Sequence, residues 1–306
     1  MILIITHKED FTADFVIDKL NKQEIKYYRF NCEDIDKESF LFEKQNRFAF
    51  QFNNLNSFHS VWFRRTKLPA LKIQDDSERL YLLGEYDALL SNLYLQLNTK
   101  KWLSHPTHVY QAENKIFQIQ VAQEIGFEIP DTLITNQHSE LKKFIEKHNQ
   151  NVIVKPLSQG RIKQLNGIKT IYTNRITSEI ISNLDSFSLT PSIYQEYIEK
   201  EYELRVTVVD GKVFAAKVDS QKLAETKIDW RKQKIPFVKY SLPPEISKKC
   251  IALLQKLNLS FGAIDLIKKA NGEFIFLEVN PNGQWAWLDM EAGLNISDEI
   301  INYLIQ

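Results

Sequence analysis

Two short hairpin signals constrain the fold of this chain more than any other feature. Asp210-Gly211 separates the strand-like runs 202–209 and 212–218, and Asn271-Gly272 separates 261–268 and 273–279. Both dipeptides favour type I′ turns, because Asp, Asn and Gly tolerate the positive φ angles that these turns require. The last third of the chain is therefore predicted to hold strands paired through tight antiparallel hairpins.

The second hairpin predicts a cluster of oxygen ligands. A two-residue turn at 271–272 places Asp265 opposite Glu278, and Asn280 follows on the same face. Facing carboxylates about 5 Å apart repel each other, and Mg²⁺, which prefers oxygen ligands, relieves that repulsion. Geometry alone leaves open a solvated sheet face that tolerates these charges. The other face, expected in the core, carries Ile264, Leu266, Ile275, Leu277 and Val279.

Composition excludes several classes of protein. The chain has 306 residues but only nine glycines, and it contains neither GxGxxG nor GxxxxGK[ST]. A Rossmann fingerprint and a P-loop are therefore absent. The 39 basic and 39 acidic residues cancel, which argues against an overall electrostatic grip on nucleic acid. We therefore expect no nucleic-acid partner.

Targeting signals are also missing from the sequence. The amino terminus turns polar after a very short apolar run, and no apolar run approaches ~18 residues, so neither a signal peptide nor a membrane span is expected. Cys32 and Cys250 stand far apart without a CxxC partner, which is typical of buried thiols in a reducing compartment. A cytoplasmic location is the expectation.

The chain reads as an α/β (α+β) protein in three parts, with boundaries expected at 1–105, 106–190 and 191–306. The first part contains a long helix over about 75–97, and the second begins with one helix over about 111–125 that ends at Gly126. The apolar stripe of the long helix is either core or a dimer face. It carries Leu80, Leu83, Leu90, Leu93, Tyr94 and Leu97.

Six blocks between residues 61 and 285 form a set. They are VWFRR (61–65), VKP (154–156), QEYI (195–198), ELRV (203–206), DWR (229–231) and LEVNPNGQW (277–285). The set resembles ATP-grasp ligases, specifically the microviridin-type peptide ligases or graspetide macrocyclases. The resemblance implies an ATP-grasp fold with a pre-ATP-grasp domain, a central domain and a C-terminal domain, and with ATP between the last two.

The resemblance also implies a reaction. ATP phosphorylates an Asp or Glu side chain of a ribosomally made precursor peptide, and a Thr or Ser hydroxyl or a Lys amine captures the acyl phosphate. The product is a ring closed by an ω-ester or an ω-amide. The implied partners are ATP, two Mg²⁺ ions and a precursor peptide with a leader and an acidic, Thr-containing core. The family also suggests a homodimer.

For the nucleotide, the resemblance implies contacts along the central domain and the linker. Lys115 and Lys155 correspond to phosphate lysines, and residues 158–167 occupy the place of the glycine-rich phosphate lid. The linker presents its main chain to adenine, and Glu203 binds the ribose hydroxyls. The nucleotide residues implied are Lys115, Lys155, Gly160, Gln195, Glu196, Tyr197, Ile198 and Glu203.

For the chemical step, the resemblance implies Arg205 at the phosphates and Asp229 with Arg231 at the reacting carboxylate. Segment 220–240 has six basic and two acidic residues, a local charge of +4, which would attract an acidic peptide. Lys217 is a further expected phosphate contact. The first hairpin pairs Lys217 with Leu204, however, so it faces away from Arg205 unless a bulge intervenes. Asp265, Glu278 and Asn280 are the metal ligands expected.

Other interpretations remain open from the sequence. The WFRR block, Arg64 and Arg65, is either structural or in contact with substrate or ATP. A ligase of the same fold that adds amino acids to a protein or peptide tail is a second enzymatic hypothesis, and a non-catalytic ATP-binding module is a third. The WFRR and DWR blocks argue against the second hypothesis, and the intact Lys155, Asp265, Glu278 and Asn280 argue against the third.

Overall fold

The computed structural model describes residues 1–46, 48–158, 160–164, 167–186 and 190–306, with the backbone alone for 161, 163, 164, 167 and 168. Within these ranges every helix is too short or too polar to cross a bilayer.

The first part of the chain is a parallel sheet with helices packed on it. Strand order is β2-β1-β5-β6, and β3 pairs with β4 in a separate hairpin. That hairpin was not anticipated from the sequence, although its aromatic residues alternate as strands do. The elements are β1 (Ile2–Thr6), α1 (Phe11–Lys22), β2 (Tyr27–Asn31), β3 (Phe40–Lys44), β4 (Phe48–Phe52), β5 (Ser60–Phe63), α2 (Asp76–Gln96) and β6 (Trp102–Leu103).

Helix α2 matches its predicted limits but only its carboxyl half joins the core. Leu90, Leu93 and Tyr94 are buried. Leu80 is 66% exposed, so the amino half of the apolar stripe is not part of the core. Of the two interpretations left open by the sequence, core applies to the carboxyl half only.

The middle of the chain is an antiparallel sheet in the order β11-β8-β12-β7, followed outward by the small hairpin β9–β10. Its core of Leu141, Ile145, Val152, Leu184 and Tyr194 is separate from the other hydrophobic cores. The elements are α3 (Pro106–Ala112), α4 (Lys115–Ile125), β7 (Thr132–Thr135), α5 (His138–Lys147), β8 (Val152–Lys155), β9 (Arg161–Gln164), β10 (Gly167–Thr170), β11 (Asn174–Arg175), α6 (Ser178–Ser182) and β12 (Ser192–Glu196).

The single helix expected over 111–125 is two helices. The Asn114 side chain accepts a hydrogen bond from the backbone N–H of Phe117 and caps a new helix, because Asn is among the strongest amino-terminal caps. Gly126 ends α4 with φ of 85° as predicted. The break places Lys115 at the first position of α4, beside the cleft.

The last part is a sheet in the order β15-β14-β13-β16-β17 with helices on both faces. One continuous core joins it to the first part: Leu3 and Phe63 belong to the same cluster as Val206 and Phe276. The elements are β13 (Tyr202–Val209), β14 (Lys212–Val218), β15 (Val238–Tyr240), α7 (Pro244–Lys256), β16 (Phe261–Lys268), β17 (Phe274–Asn280), α8 (Ala286–Ala292) and α9 (Ile296–Ile305).

The first hairpin forms as predicted. Val209 pairs with Lys212 across a two-residue turn, and Asp210 and Gly211 have φ angles of 46° and 78°. These are the positive angles of a type I′ turn. The strand pairing of β13 and β14 therefore follows from local sequence.

The second hairpin differs from its prediction in the turn but not at the ligands. Lys269 N–H donates to Glu273 O, and Gly272 N–H donates to Lys269 O, so the loop holds three residues with Gly272 at φ of 100°. This turn pairs Leu266 with Phe276, and a bulge at Leu277 then restores the pairing of Asp265 with Glu278. Phe276, and not Leu277, therefore enters the core.

Candidate active site

Three oxygen-bearing side chains meet where β16 and β17 pair. Asp265 lies opposite Glu278, and the Asn280 amide lies 3.2 Å from Glu278 Oε1 and 3.5 Å from Asp265 Oδ2. The amide nitrogen is the atom that faces both carboxylates. Rotation of the amide by a half turn presents its oxygen instead, which gives three oxygen donors on one face. Oxygen donors of this kind suit Mg²⁺.

The two carboxylates have opposite pKa shifts. Burial raises the pKa of Asp265, Arg205 opposes that rise, and the charge of Glu278 adds to it. Burial also works against the charged form of Glu278, but Lys115 and Lys155 hold its pKa below the usual range. Two acids sharing one buried face thus depend on surrounding cations for their charge. This is the electrostatic condition expected of a metal site.

Arg205 is the cation nearest to Asp265. It sits opposite Asp265 on β13, and its Nη1 donates to both carboxylate oxygens at 2.8 and 2.9 Å. Gly283 is required beside it, because a Cβ there would lie 2.8 Å from Arg205 Nη2 and 2.6 Å from the Cβ of Ala263. The guanidinium is therefore held in one position at the edge of the cleft.

Two lysines from the central part face the carboxylates. Lys115 Nζ lies 3.6 Å from Glu278 Oε2 and donates to Pro156 O at 3.1 Å. Burial, with smaller contributions from Lys115 and Arg231, lowers the pKa of Lys155 to about 8 against the opposing charges of Glu278 and Asp265. Both lysines line a cavity of about 670 Å³. The cleft between the two sheets is thus lined with cations as well as acids.

The linker from β12 to β13 contains the residues expected at adenine and ribose. Gln195 is buried, and its amide nitrogen donates to Thr132 Oγ1. Glu196 receives a hydrogen bond from Asp131 N–H, and Arg175 stacks on the Tyr197 ring at 3.9 Å. Ile198 follows in the linker. Glu203 is buried beside Lys200, whose Nζ lies 2.8 Å from its Oε1; Lys200 was not identified from the sequence.

The expected lid is described only in part. Gln159, Leu165 and Asn166, and the side chains of Arg161 and Lys163, lie outside the described residues. Strands β9 and β10 pair from Arg161–Thr170 to Gln164–Gly167. At its base, a Cβ on Gly160 would lie 2.5 Å from Ile171 O, so only glycine fits there.

Asp229 and Arg231 form a bidentate salt bridge. Arg231 Nε and Nη2 donate to the two oxygens of Asp229 at 2.8 and 2.5 Å, and Asp229 also accepts from Thr173 N–H. Burial opposes the charge on Asp229, but these hydrogen bonds lower its pKa. Asp229 raises the pKa of Arg231, and Glu278 and Asp265 add to that rise. Arg231 is therefore close enough to the cleft for the charges of Glu278 and Asp265 to act on it.

Lys217 does not join this group. It pairs with Leu204 without a bulge, and its Nζ lies 2.9 Å from Asp219 and 4.2 Å from the Tyr202 ring. The two-residue turn keeps the register predicted from the sequence, which turns Lys217 away from Arg205. Acids outside segment 220–240 offset part of its charge of +4, since Lys222 pairs with Asp219 and Lys234 with Glu291.

The WFRR block joins the first part to the last. Arg64 is 1% exposed, and its Nε lies 3.2 Å from Asp10 Oδ2. Its Nη2 also lies 3.5 Å from Gln284 Oε1, and Arg65 Nε donates to Asn282 O. These contacts support a structural role for both arginines, which is one of the two interpretations that the sequence left open.

Gln118 is a residue that sequence reasoning missed. Its amide donates to Ala112 O and Val279 O at 2.6 and 2.8 Å, and its oxygen accepts from Val279 N–H at 3.0 Å. Val279 lies between Glu278 and Asn280, so α4 holds the ligand strand directly. The sequence signal that could have identified Gln118 is a single polar residue on the buried side of helix α4.

Paired acids at a sheet edge, a guanidinium beside them and two lysines across the cleft are suited to binding Mg²⁺ and phosphate groups. Residues 112–304 match the model of the RimK-like ATP-grasp domain, and residues 1–110 match that of the MvdD pre-ATP-grasp domain. The chain belongs to the RimK-like ATP-grasp family and is an ATP-grasp ligase by family. The fold class and the resemblance predicted from sequence are confirmed.

Solved structures agree over the whole chain. A Chryseobacterium gregarium RiPP-associated ATP-grasp ligase in complex with ADP and a leader and core peptide is 29% identical, with a TM-score of 0.88 over 99% of this chain and 96% of that one. The macrocyclase MdnC of Microcystis aeruginosa MRC, bound with precursor peptide MdnA, is 27% identical, with a TM-score of 0.87 over 100% and 99%.

A curated relative matches over a shorter stretch. The uncharacterized protein MJ0776 of Methanocaldococcus jannaschii is 28% identical over 210 residues, which is 64% of this chain. The match spans about half, 48%, of that relative's length.

Proposed function

We propose that this ligase closes rings in a ribosomally made precursor peptide at the expense of ATP. A side-chain carboxylate oxygen of Asp or Glu attacks the γ-phosphorus, which releases ADP and leaves an acyl phosphate. A Thr or Ser hydroxyl, or a Lys amine, then attacks the acyl carbon, expels phosphate and gives up its proton. The observation that carries the proposal is the Asp265–Glu278–Asn280 face with Lys115, Lys155 and Arg205 around it.

We propose that Asp265, Glu278 and Asn280 hold Mg²⁺, with room in the donor set for two ions. When bound, Mg²⁺ neutralises phosphate oxygens during phosphoryl transfer. The donor chemistry fits the ion, because two carboxylates face each other and the Asn280 amide lies beside both of them. Arg205 orients Asp265 through both oxygens and is free to share its outer N–H groups with phosphate.

The nucleotide is proposed to lie between the central and last sheets. Lys115 and Lys155 would bind phosphate oxygens, and Glu203 would accept hydrogen bonds from the ribose. The main chain of Gln195, Glu196, Tyr197 and Ile198 would contact adenine, and Gly160 would let the lid approach. Support comes from a cavity of about 670 Å³ on the central part, lined by Lys115 and Lys155, whose volume is within the usual range for small-molecule sites, and from the approach of Lys115 to Glu278 across the cleft.

Arg231 is proposed to receive the reacting carboxylate of the peptide. In the structure its fork is occupied by Asp229, a carboxylate in the position that a substrate carboxylate would take. Bidentate pairing of this kind is specific for planar carboxylates. Asp229 would then hold the loop through Thr173 while the peptide shares the guanidinium.

Mass spectrometry tests the proposal. A short peptide encoded beside this gene, rich in Thr and in Asp or Glu, would be incubated with the protein, ATP and Mg²⁺. Each ring removes the mass of one water. Release of ADP without loss of peptide mass would overturn the proposal, and a gain of amino-acid mass would favour the tail-adding ligase instead.

We also propose a homodimer in a reducing cytoplasm. Leu80 and Tyr81 on the uncovered half of α2 are each 66% exposed, which supports a further contact, and both cysteines are buried and free. Light scattering on the purified chain distinguishes a dimer from a monomer by mass.

A further inference from the structure

We propose that Asp131, His148 and Glu196 form a second metal site, suited to Zn²⁺ or a similar transition-metal dication. The three residues come from the loop before β7, the carboxyl end of α5 and the last position of β12. One ligand atom from each lies within 4.8 Å of the others. The site is separate from the carboxylates proposed to hold Mg²⁺.

His148 is the residue that points to a ligand. Its side chain is 10% exposed, and its shielded Nε2 makes no hydrogen bond within the described part of the chain. That nitrogen lies 3.4 Å from Asp131 Oδ2, and Nδ1 lies 3.5 Å from Glu196 Oε2. A buried imidazole nitrogen without a partner is unusual, because burial of a polar atom costs free energy unless it is satisfied.

The distance between His148 Nε2 and Asp131 Oδ2 matches that of two ligands around a small ion. Two atoms bound tetrahedrally to Zn²⁺ at about 2 Å lie about 3.3 Å apart, close to the 3.4 Å between His148 and Asp131. The backbone also fixes the carboxylates. Asp131 N–H donates to Glu196 Oε1 at 3.2 Å, and Glu196 N–H donates to Asp131 O at 3.0 Å.

Lys147 is the competing cation at this place. Its Nζ lies 2.6 Å from Asp131 Oδ2, but its side chain is 66% exposed, so it can move into water at little cost. Lys147 pairs with Asp131 Oδ2, and no hydrogen bond from it to the imidazole is seen in the described part of the chain. An imidazole with carboxylates favours Zn²⁺ or Cu²⁺ over Mg²⁺.

Metal at this site would tie three elements together at the entrance to the linker. Glu196 is followed directly by residues 197–201, which connect the central sheet to the last sheet. The central part has its own hydrophobic core, so an ion here would stabilise that part and limit its movement about the linker. The expected result is a protein whose melting temperature rises with the metal in the absence of nucleotide.

Cobalt titration tests the site without ATP or peptide, so its failure is separate from failure of the proposed ring closure. The full chain is stripped with EDTA and titrated with Co²⁺ in the Glu278→Gln background, with visible absorption as the readout. We expect one tightly bound equivalent that millimolar Mg²⁺ does not displace. His148→Gln should weaken binding at least about tenfold.

Matched variants keep the test decisive. His138→Gln, at the other end of the same helix, should bind Co²⁺ as the parent does, and Asp131→Asn should bind more weakly while its melting temperature without metal stays near that of the parent. Equal Co²⁺ affinity in the parent and in His148→Gln would overturn the proposal. So would displacement of Co²⁺ by Mg²⁺.

Discussion

Arg64 is a buried guanidinium whose charge is balanced by one carboxylate. Asp10 accepts hydrogen bonds from Arg64, from Thr6 Oγ1 and from the Thr12 backbone N–H. Burial opposes its charge, but Arg64 and these donors lower its pKa. The pair is nearly inaccessible, with exposures of 1% and 0%. At the residue scale, stability therefore depends on keeping both partners.

Asp10→Asn should destabilise the protein by about 3 kcal/mol near neutral pH, because it leaves Arg64 buried without a balancing charge. The pKa of Asp10 is lowered on folding, so its contribution is present above the ordinary value of 3.8 and is lost as pH falls through the lowered value. Urea unfolding at several pH values measures this, and the gap between the two proteins should narrow below pH 3.8.

Asp18→Asn is the control for that experiment. Asp18 pairs with Lys22 on the same helix, and both side chains are mostly exposed, so little change is expected. A cost equal to that of Asp10→Asn would contradict the role given to the buried pair.

Substitutions of Glu278 and Arg231 are expected to stop the reaction for different reasons. Glu278→Gln should abolish ATP turnover, because the metal-ligand face loses a charge. Arg231→Ala should leave ADP affinity near that of the parent but abolish loss of water from the peptide, because Arg231 is placed on the peptide side. Calorimetric ADP binding and peptide mass together separate the two.

Glu273→Gln serves as the matched control on the same hairpin. Glu273 lies at the turn and pairs with Lys269 in solvent, so both readouts should stay near those of the parent. Much weaker ADP binding in Arg231→Ala would show that the loop is assigned to the wrong side of the cleft.

At the scale of elements, one bulge decides which side chains face the site. The three-residue turn alone would pair Glu278 with Ile264, whose side chain is in the core. The extra residue Leu277 shifts the strand by one position, and Glu278 returns to the face of Asp265. Bulges are frequent next to active sites for this reason. The pairing of Asp265 with Glu278 thus depends on two irregularities that offset each other, the three-residue turn and the bulge at Leu277.

Helix α4 holds the same strand from the other side, which leads to a prediction for Gln118. Gln118→Met keeps the volume but leaves the N–H and C=O of Val279 unpaired, at a cost of about 2 kcal/mol. The flanking Glu278 and Asn280 should shift with the strand. ATP turnover should therefore need a higher Mg²⁺ concentration for half-maximal rate, as measured by Mg²⁺ titration at saturating ATP.

Gln120→Met on the same helix provides the comparison. Gln120 is exposed and contacts only Glu124 among the described side chains, so neither stability nor Mg²⁺ dependence should change. A loss of stability in Gln118→Met without any change in Mg²⁺ dependence would limit Gln118 to a packing role.

At the scale of the whole molecule, the site is divided between two bodies. Lys155 belongs to the central sheet with its own core, and Glu278 belongs to the sheet that shares a core with the first part. Magnesium ADP should bind across both and raise the melting temperature. At a ligand concentration 100 times Kd the stabilisation is about 2.7 kcal/mol.

Removal of the metal should remove most of that stabilisation. EDTA in the presence of ADP is expected to return the melting temperature nearly to that of the free protein, as measured by differential scanning fluorimetry. Glu278→Gln should show only a small ADP shift with or without Mg²⁺. Equal shifts for the parent with and without Mg²⁺ would exclude the acidic face as the metal site.

Local sequence determined the first hairpin and the cap at Gly126, because turn angles act between close neighbours. Strand alternation predicted that Asp265 would face Glu278, but the structure reaches that pairing through a three-residue turn and a compensating bulge. The motif blocks determined the family. Only the tertiary structure decided the bulge at Leu277, the burial of Arg64 and the approach of Gln118 to the ligand strand. These depend on contacts between residues far apart in the chain, which form only where packing brings them together.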